Sequence, residues 1–162
     1  ATDASSDTVF KGSMCFVAGN GDYRLRTRET KASTDELELE ALTLALKYLL
    51  KVGARKAVIE SDSVAAVEAV EQIVHKRGSK ASRPGRTWRG VSSGARSRFQ
   101  QAWGDIQGQC EVDIRRVLGH AGDPLNRAAD QIAYMGLRAI AHPMKQSRET
   151  LREGIQKALL AL

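Results

Sequence analysis

The chain of 162 residues has few of the side chains that build disulfide frameworks or zinc sites. It holds two cysteines, Cys15 and Cys110, and three histidines, and no spacing among them is that of a zinc site. Each cysteine lies in an apolar, strand-like run, so we expect two reduced core thiols, which are typical of the cytosol. No serine or cysteine stands in a nucleophile-elbow motif, which disfavours a nucleophilic hydrolase.

Long apolar runs are missing as well. No stretch approaches the roughly 18 residues that a membrane-spanning helix needs. Residues 1–7 are polar and acidic, unlike the basic and then apolar start of a secretory signal. We therefore expect a cytoplasmic protein without a membrane partner. The length fits one compact domain, and a hydrophobic fraction of 42% is enough for a core.

Acidic residues are absent from one stretch of a chain whose net charge is +6. Residues 76–98 contain eight Lys or Arg and no Asp or Glu. Residues 78–94 are rich in Gly, Ser, Arg and Pro without periodicity, which predicts a loop. A basic loop fits a polyanionic partner such as nucleic acid, although an ordinary solvated loop can have the same composition.

The patterning predicts an α/β fold with the element order β-β-β-α-β-α-α-β-α-α. A short strand carrying Asp3 comes first, and the turn at 19–21 (Gly-Asn-Gly) joins the next two strands as a hairpin. Three successive strands indicate an antiparallel meander, and the later alternation indicates parallel crossovers. We therefore predict a mixed five-stranded sheet flanked by helices. The remaining predicted strands are 8–18, 22–31, 56–60 and 110–118, and the predicted helices are 34–51, 63–74, 95–106, 124–141 and 146–162.

These elements predict a domain over residues 1–141, with the basic loop at 76–98, and an appended amphipathic helix within 142–162. The apolar stripe of that helix predicts that it packs back on the domain, with self-association through 146–162 as the alternative. We expect a monomer. The stripe consists of Leu151, Ile155, Ala158, Leu159 and Leu162.

One acid of the first long helix stands on its apolar side. Glu38 lies one turn before Leu42 and two turns before Ala45, so it continues the face that should be buried. A polar stripe made of Glu36, Glu40, Thr43 and Lys47 should instead face water. A buried acid is costly unless it is paired or bound to a metal. The alternative is a frayed helix start that turns Glu38 to solvent.

Three further acids are candidates for the same site. Asp62 ends a strand and opens a helix, where it is either a site residue or a helix cap. Asp3 precedes the first apolar run, and its alternative is a free terminal acid. Asp130 lies two turns inside its helix on an apolar face that it shares with Ala133, Tyr134 and Leu137, which should be buried; the alternative is a surface pair with Arg127. All four acids can converge at one end of the sheet, where oxygen-only ligands favour Mg²⁺ or Mn²⁺.

Four motifs, in order along the chain, resemble those of the type 1 ribonucleases H. Residues 2–5 (TDAS) are similar to the TDGS-type opening of that family, and residues 60–63 (ESDS) to its S/T-D-S motif. Residues 38–46 (ELEALTLAL) resemble its E-L-x-A-x-x-x-A-L helix motif. Residues 118–130 (LGHAGDPLNRAAD) closely match its G-H-x-G-x-x-x-N-x-x-x-D motif. The resemblance covers about residues 1 to 140 and implies an RNase H-like fold.

The resemblance also implies an activity and a set of site residues. It implies an endoribonuclease that cuts the RNA strand of RNA/DNA hybrids by two-metal-ion catalysis and leaves 5′-phosphate products. Asp3, Glu38, Asp62 and Asp130 would hold Mg²⁺, with Mn²⁺ as a substitute, and His120 would assist proton transfer or product release. Candidate nucleic-acid contacts are Ser5, Thr34, Asn126, Arg83, Arg86, Trp88 and Arg89.

Three positions depart from the pattern of that family. Thr34 and Asp35 stand where the family usually has Asn before its helix Glu, and Val64 stands where Gln is frequent. The first loop, at residues 6–10, is not rich in glycine. These positions help to sense the 2′-hydroxyl that distinguishes RNA from DNA. A nuclease for DNA or structured RNA therefore remains an alternative, as does a silent nucleic-acid-binding module, which the complete set of four carboxylates disfavours.

Overall fold

The computed structural model describes residues 1–7, 10–75, 91–118, 123–143 and 147–162. Its elements follow the predicted order, and their ends differ from the predicted ends by a few residues. The strands are β1 (Thr2–Ser6), β2 (Lys11–Val17), β3 (Tyr23–Glu29), β4 (Lys56–Ser61) and β5 (Glu111–Arg116). The helices are α1 (Thr34–Lys51), α2 (Val64–His75), α3 (Ser93–Ile106), α4 (Pro124–Ala141) and α5 (Arg148–Leu159).

The five strands form one mixed sheet in the order β3-β2-β1-β4-β5. β1, β2 and β3 are antiparallel neighbours, whereas β4 runs parallel to both β1 and β5. The predicted mixed sheet is thus confirmed. β1 is short but pairs with β2 along its whole length, and it meets β4 at the Thr2–Ser61 pair. This topology puts Asp3 in the central strand of the sheet.

Local signals set the turns and helix starts. Gly21 has φ +85° in the hairpin turn, a conformation that glycine adopts without strain. Ser33 caps α1 by accepting a hydrogen bond from the Glu36 amide at 3.2 Å. Asp123 caps α4 through the Asn126 amide at 2.8 Å.

Helix α1 is buried on nearly every side in its first three turns. Every residue from 36 to 46 is buried, because the sheet covers one side of the helix and α3 packs against another. The expectation that the polar stripe faces water is therefore wrong for Glu36, Glu40 and Thr43, and only Lys47 of that stripe is exposed. The carboxylates of α1 consequently lie inside the protein.

The opposite face of the sheet is covered by α4 and α5. Ile155 and Ala158 of α5 are buried in a cluster with residues of β2 and α4, so the helix does pack back on the preceding elements. Leu162 stays partly exposed and does not extend that contact. Cys15 is a free thiol buried in this cluster as expected, but Cys110 is partly exposed and is not a core thiol. Among the described helices, none is both long enough and apolar enough to cross a membrane.

Candidate active site

Three of the four expected acids meet at one point of the fold. Carboxylate oxygens of Asp3, Glu38 and Asp62 all lie within 4.8 Å of one another. The sheet explains this proximity, because β1 and β4 are parallel neighbours at the Thr2–Ser61 pair. Asp3 and Asp62 each follow one member of that pair and so lie side by side. Helix α1 brings the third carboxylate from above the sheet.

Glu38 is held in the site by the backbone of β1. It is 5% exposed, and its Oε1 accepts a hydrogen bond from the Ala4 amide at 3.0 Å. Its Oε2 is buried and has no hydrogen-bond partner among the residues that the structure describes. The frayed-helix alternative for Glu38 is therefore wrong.

Asp62 does not cap helix α2. That role belongs to Ser63, whose Oγ accepts a hydrogen bond from the Ala66 amide at 3.1 Å. The cap alternative for Asp62 is thus wrong, and its half-buried carboxylate instead joins the acidic group. Asp3 is likewise no free terminal acid, because it is 6% exposed within β1.

The mutual repulsion of these acids appears in their pKa values. The pKa of Asp3 is raised to about 7, mainly by burial and then by the negative charges of Asp62 and Asp130. Burial also raises the pKa of Glu38 well above its usual range, with the charge of Asp3 as the next cause. The folded chain thus holds carboxylates that repel one another, and a bound cation would relieve this repulsion.

Asp130 lies near the group without being part of it. It is half-buried on α4, and its charge acts on Asp3, but it is not one of the three acids that lie within 4.8 Å. Ala133 and Leu137 of the same helix are buried as expected. Tyr134 is 52% exposed, so its assignment to the buried face is wrong. Asp130 thus stands at the margin of the site.

The candidate nucleic-acid contacts have different surroundings. Ser5 is half-buried on the same side of β1 as Asp3. Thr34 is exposed, with its Oγ1 2.8 Å from the Oγ of Ser6. Asn126 is 4% exposed, and its Oδ1 has no partner within the described parts of the chain. The residues that fall outside those parts are His120, Arg83, Arg86, Trp88 and Arg89.

A buried polar network on the other side of α1 was not foreseen from the sequence. Glu36 accepts hydrogen bonds from the amide and Oγ of Ser92, at 2.7 and 3.1 Å. Glu40 forms ion pairs with Arg28 of β3, at 3.0 Å, and with Arg98 of α3. These partners are more than ten residues from Glu36 and Glu40 along the chain, so no local sequence pattern predicts the network. It fixes β3 and α3 to the helix that carries Glu38.

The acidic group fits a hard divalent cation. Its donors are all carboxylate oxygens, which Mg²⁺ and Mn²⁺ prefer. Oδ2 of Asp3 and Oε2 of Glu38 are buried without a hydrogen-bond donor in the described residues. Buried polar atoms normally have a hydrogen-bond partner, and a site for a bound ion is one accepted reason for an exception. The observed residues therefore suit a metal site.

Comparison with known proteins gives two matches and one absence. Residues 1–138 match the family model described as RNase H. Among solved structures, the N-terminal RNase H domain of Rv2228c from Mycobacterium tuberculosis, fused to maltose-binding protein, is similar with a TM-score of 0.63 and 17% identity. That match covers 88% of this chain and 94% of the other. No curated protein matches the chain. At so low an identity, the structural match supports the fold alone.

Proposed function

The chain belongs to the RNase H family, and on that basis we propose that it is an endoribonuclease that hydrolyses the RNA strand of RNA/DNA hybrids. The observation that carries the proposal is the group formed by Asp3, Glu38 and Asp62, with oxygens within 4.8 Å of one another. Two of these acids are buried, and each has an oxygen without a donor in the described residues. An arrangement that costs stability in this way is readily understood if it serves catalysis.

All four acids would contribute to metal binding, from different parts of the fold. Asp3, Glu38 and Asp62 would bind Mg²⁺ or Mn²⁺ directly, and Asp130 would complete the set from α4. Two such ions, when bound, would supply activation of the attacking water and stabilisation of the leaving 3′ oxygen, the chemistry that would give 5′-phosphate products. The Ala4 amide holds Glu38 in place before any ion arrives, so little reorganisation is needed.

Roles for other residues rest on the matched motifs. His120 would assist proton transfer or product release from the segment before α4. Ser5 and Asn126 flank the carboxylates in sequence and would contact the substrate, as would Thr34 at the start of α1. The basic segment at 76–98, with Arg83, Arg86, Trp88 and Arg89, would bind the phosphate backbone.

A second candidate function is cleavage of DNA or structured RNA by the same site. Val64 is 42% exposed at a position where a glutamine is frequent in the family, and it offers no hydrogen bond to a substrate. Thr34 has its hydroxyl 2.8 Å from Ser6. At these two positions the chain therefore offers fewer free polar groups than the family pattern for recognising the 2′-hydroxyl that distinguishes RNA from DNA.

One cleavage assay tests both candidates. The protein is incubated with end-labelled RNA/DNA hybrid, double-stranded RNA and double-stranded DNA, each with Mg²⁺, Mn²⁺ or EDTA. We expect cleavage of the RNA strand of the hybrid with either metal, 5′-phosphate ends and no reaction in EDTA. Faster cleavage of another duplex would favour the second candidate. No cleavage of the hybrid with either metal would contradict the proposal.

A further inference from the structure

A groove between β3 and the C-terminal half of α1 concentrates positive charge away from the carboxylates. It is lined by four cations, Arg24 and Arg26 of β3 and Lys47 and Lys51 of α1, together with one acid, Asp22. Four residues complete the lining of this β3–α1 groove, namely Phe16, Tyr23, Leu44 and Tyr48. All four cations are exposed to solvent.

The arginines of the groove come from an alternating series on β3. Arg24, Arg26 and Arg28 are two residues apart, so their side chains leave the same face of the strand. Arg28 is neutralised by Glu40 of α1 at 3.0 Å. Further along α1, two lysines line the groove together with the other two arginines. Lys47 and Lys51 are four residues apart, where like charges destabilise a helix.

The groove has one acid, Asp22, against its four cations. None of its four cations forms an ion pair within the described ranges of the chain. The remaining residues contain no Asp or Glu in their sequence, so they cannot supply one. The carboxylate of Asp22 already accepts hydrogen bonds from the Tyr48 hydroxyl at 2.5 Å and from the Asn20 amide group at 3.1 Å. An external anion would offset the repulsion among these cations.

The distance between the groove and the carboxylates fits a nucleic-acid strand that reaches both, rather than a single small anion. Lys47 and Lys51 follow Glu38 by about 14 and about 20 Å along the axis of α1, at 1.5 Å per residue. This span corresponds to about four to six nucleotides at 3.4 Å each. Tyr23 is 41% exposed at the groove, and aromatic rings of this kind pack against sugars and bases.

We propose that the β3–α1 groove is a second nucleic-acid contact, which holds backbone phosphates several nucleotides away from the carboxylate site. The polyanion it takes is a nucleic-acid strand, so the proposal rests on the proposed function for the identity of its ligand. The groove adds affinity for long substrates and leaves the reaction at the carboxylates unchanged.

The test compares substituted proteins that differ in the position of the lost charges. Two variants, Arg24→Gln with Arg26→Gln and Lys47→Gln with Lys51→Gln, each remove two charges from the groove. The matched control, Arg55→Gln with Lys56→Gln, removes two exposed charges at the start of β4, at the opposite end of that strand from Asp62. Binding is measured by fluorescence anisotropy in EDTA over a range of salt concentrations. The probes are a hybrid of about 6 base pairs, which extends only about 10 Å to either side when it is centred on the carboxylates, and one about four times longer, of about 80 Å.

For the long hybrid, we expect each groove variant to lower the slope of log K against log salt by about 2, since each lost phosphate contact contributes about 0.9. Binding of the short hybrid should change much less, and the control should resemble wild type with both probes. Equal losses in the control and the groove variants, or equal losses with both hybrids, would overturn the proposal. If the binding data overturn the groove proposal, cleavage of the short hybrid by the groove variants would still support the proposed nuclease function.

Discussion

The backbone amide of Ala4 donates a hydrogen bond to Oε1 of Glu38 over 3.0 Å, in a buried position. This bond joins the central strand β1 to helix α1 and aims the carboxylate of Glu38 at Asp3. One oxygen of Glu38 is thereby fixed, and the other has no partner within the described chain. The site is preorganised by backbone geometry. The hydrogen bond from Ala4 lowers the pKa of Glu38, but burial and the charge of Asp3 outweigh it and raise that pKa well above its usual range.

The raised pKa of Asp3 predicts a pH dependence for the metal-free protein. Its folded pKa is about 7 and its usual value is 3.8, so the folded state keeps a proton that the unfolded chain loses. The free energy of unfolding should therefore fall as the pH rises from about 4 to about 7. Thermal unfolding in EDTA across that range measures it.

Replacement of Asp3 tests the origin of this pH dependence. Asp3→Asn cannot ionise, so relative to wild type it should gain about 4 kcal/mol of stability between pH 4 and pH 8, since one pKa unit corresponds to about 1.4 kcal/mol. Asp105→Asn, which changes an exposed acid of α3, is the control and should follow wild type. If the free energy of unfolding of Asp3→Asn depends on pH as that of wild type does, other groups cause the pH dependence.

Divalent cations should stabilise the folded protein by binding only to that state. Addition of Mg²⁺ or Mn²⁺ should raise the melting temperature in proportion to the logarithm of the excess over the dissociation constant. Glu38→Gln should lose most of this increase, while Glu71→Gln on the exposed side of α2 should retain it. If the cation raises the melting temperature of Glu38→Gln as much as that of wild type, the ion binds at another site.

The ion pairs of Glu40 should contribute measurably to stability. Glu40→Gln leaves Arg98 without its carboxylate partner and leaves Arg28 with Glu36 alone, at 3.8 Å. It should cost about 1–2 kcal/mol, because both arginines are partly exposed. Glu111→Gln breaks a fully exposed pair with Lys56 and should change stability by less than about 0.5 kcal/mol. Urea denaturation compares the two variants, and equal costs would show that the buried network adds nothing.

Much of the fold and of the acidic group could be predicted from the sequence, because the signals are local. Alternating apolar residues, the Gly19–Gly21 turn and the caps at Ser33 and Asp123 each depend on neighbours in the chain. The acid on the apolar side of α1 indicated that Glu38 is buried. By contrast, the environment of Glu40 depends on α3, whose packing position no local pattern encodes.

The close approach of α4 to the sheet should make one glycine sensitive to substitution. A Cβ at Gly136 would lie 2.6 Å from Ser13 Oγ and 2.7 Å from Leu25 Cδ1. Gly136→Ala should therefore destabilise the protein by about 1–3 kcal/mol. Gly104→Ala in α3 meets no atom within 4 Å and should stabilise it by up to about 1 kcal/mol. Denaturation midpoints check this, and a neutral Gly136→Ala would mean that the contact relaxes at little cost.

The single-turnover cleavage rate of Asp62→Asn tests the central claim most directly. Asp62 is half-buried and caps no helix, so the amide should leave the fold and melting temperature almost unchanged. With labelled RNA/DNA hybrid and saturating Mg²⁺, we predict a rate at least about a thousandfold below wild type, equivalent to about 4 kcal/mol. Asp113→Asn, an exposed acid of β5, should cleave at the wild-type rate. A rate for Asp62→Asn within a few-fold of wild type would contradict catalysis by these carboxylates.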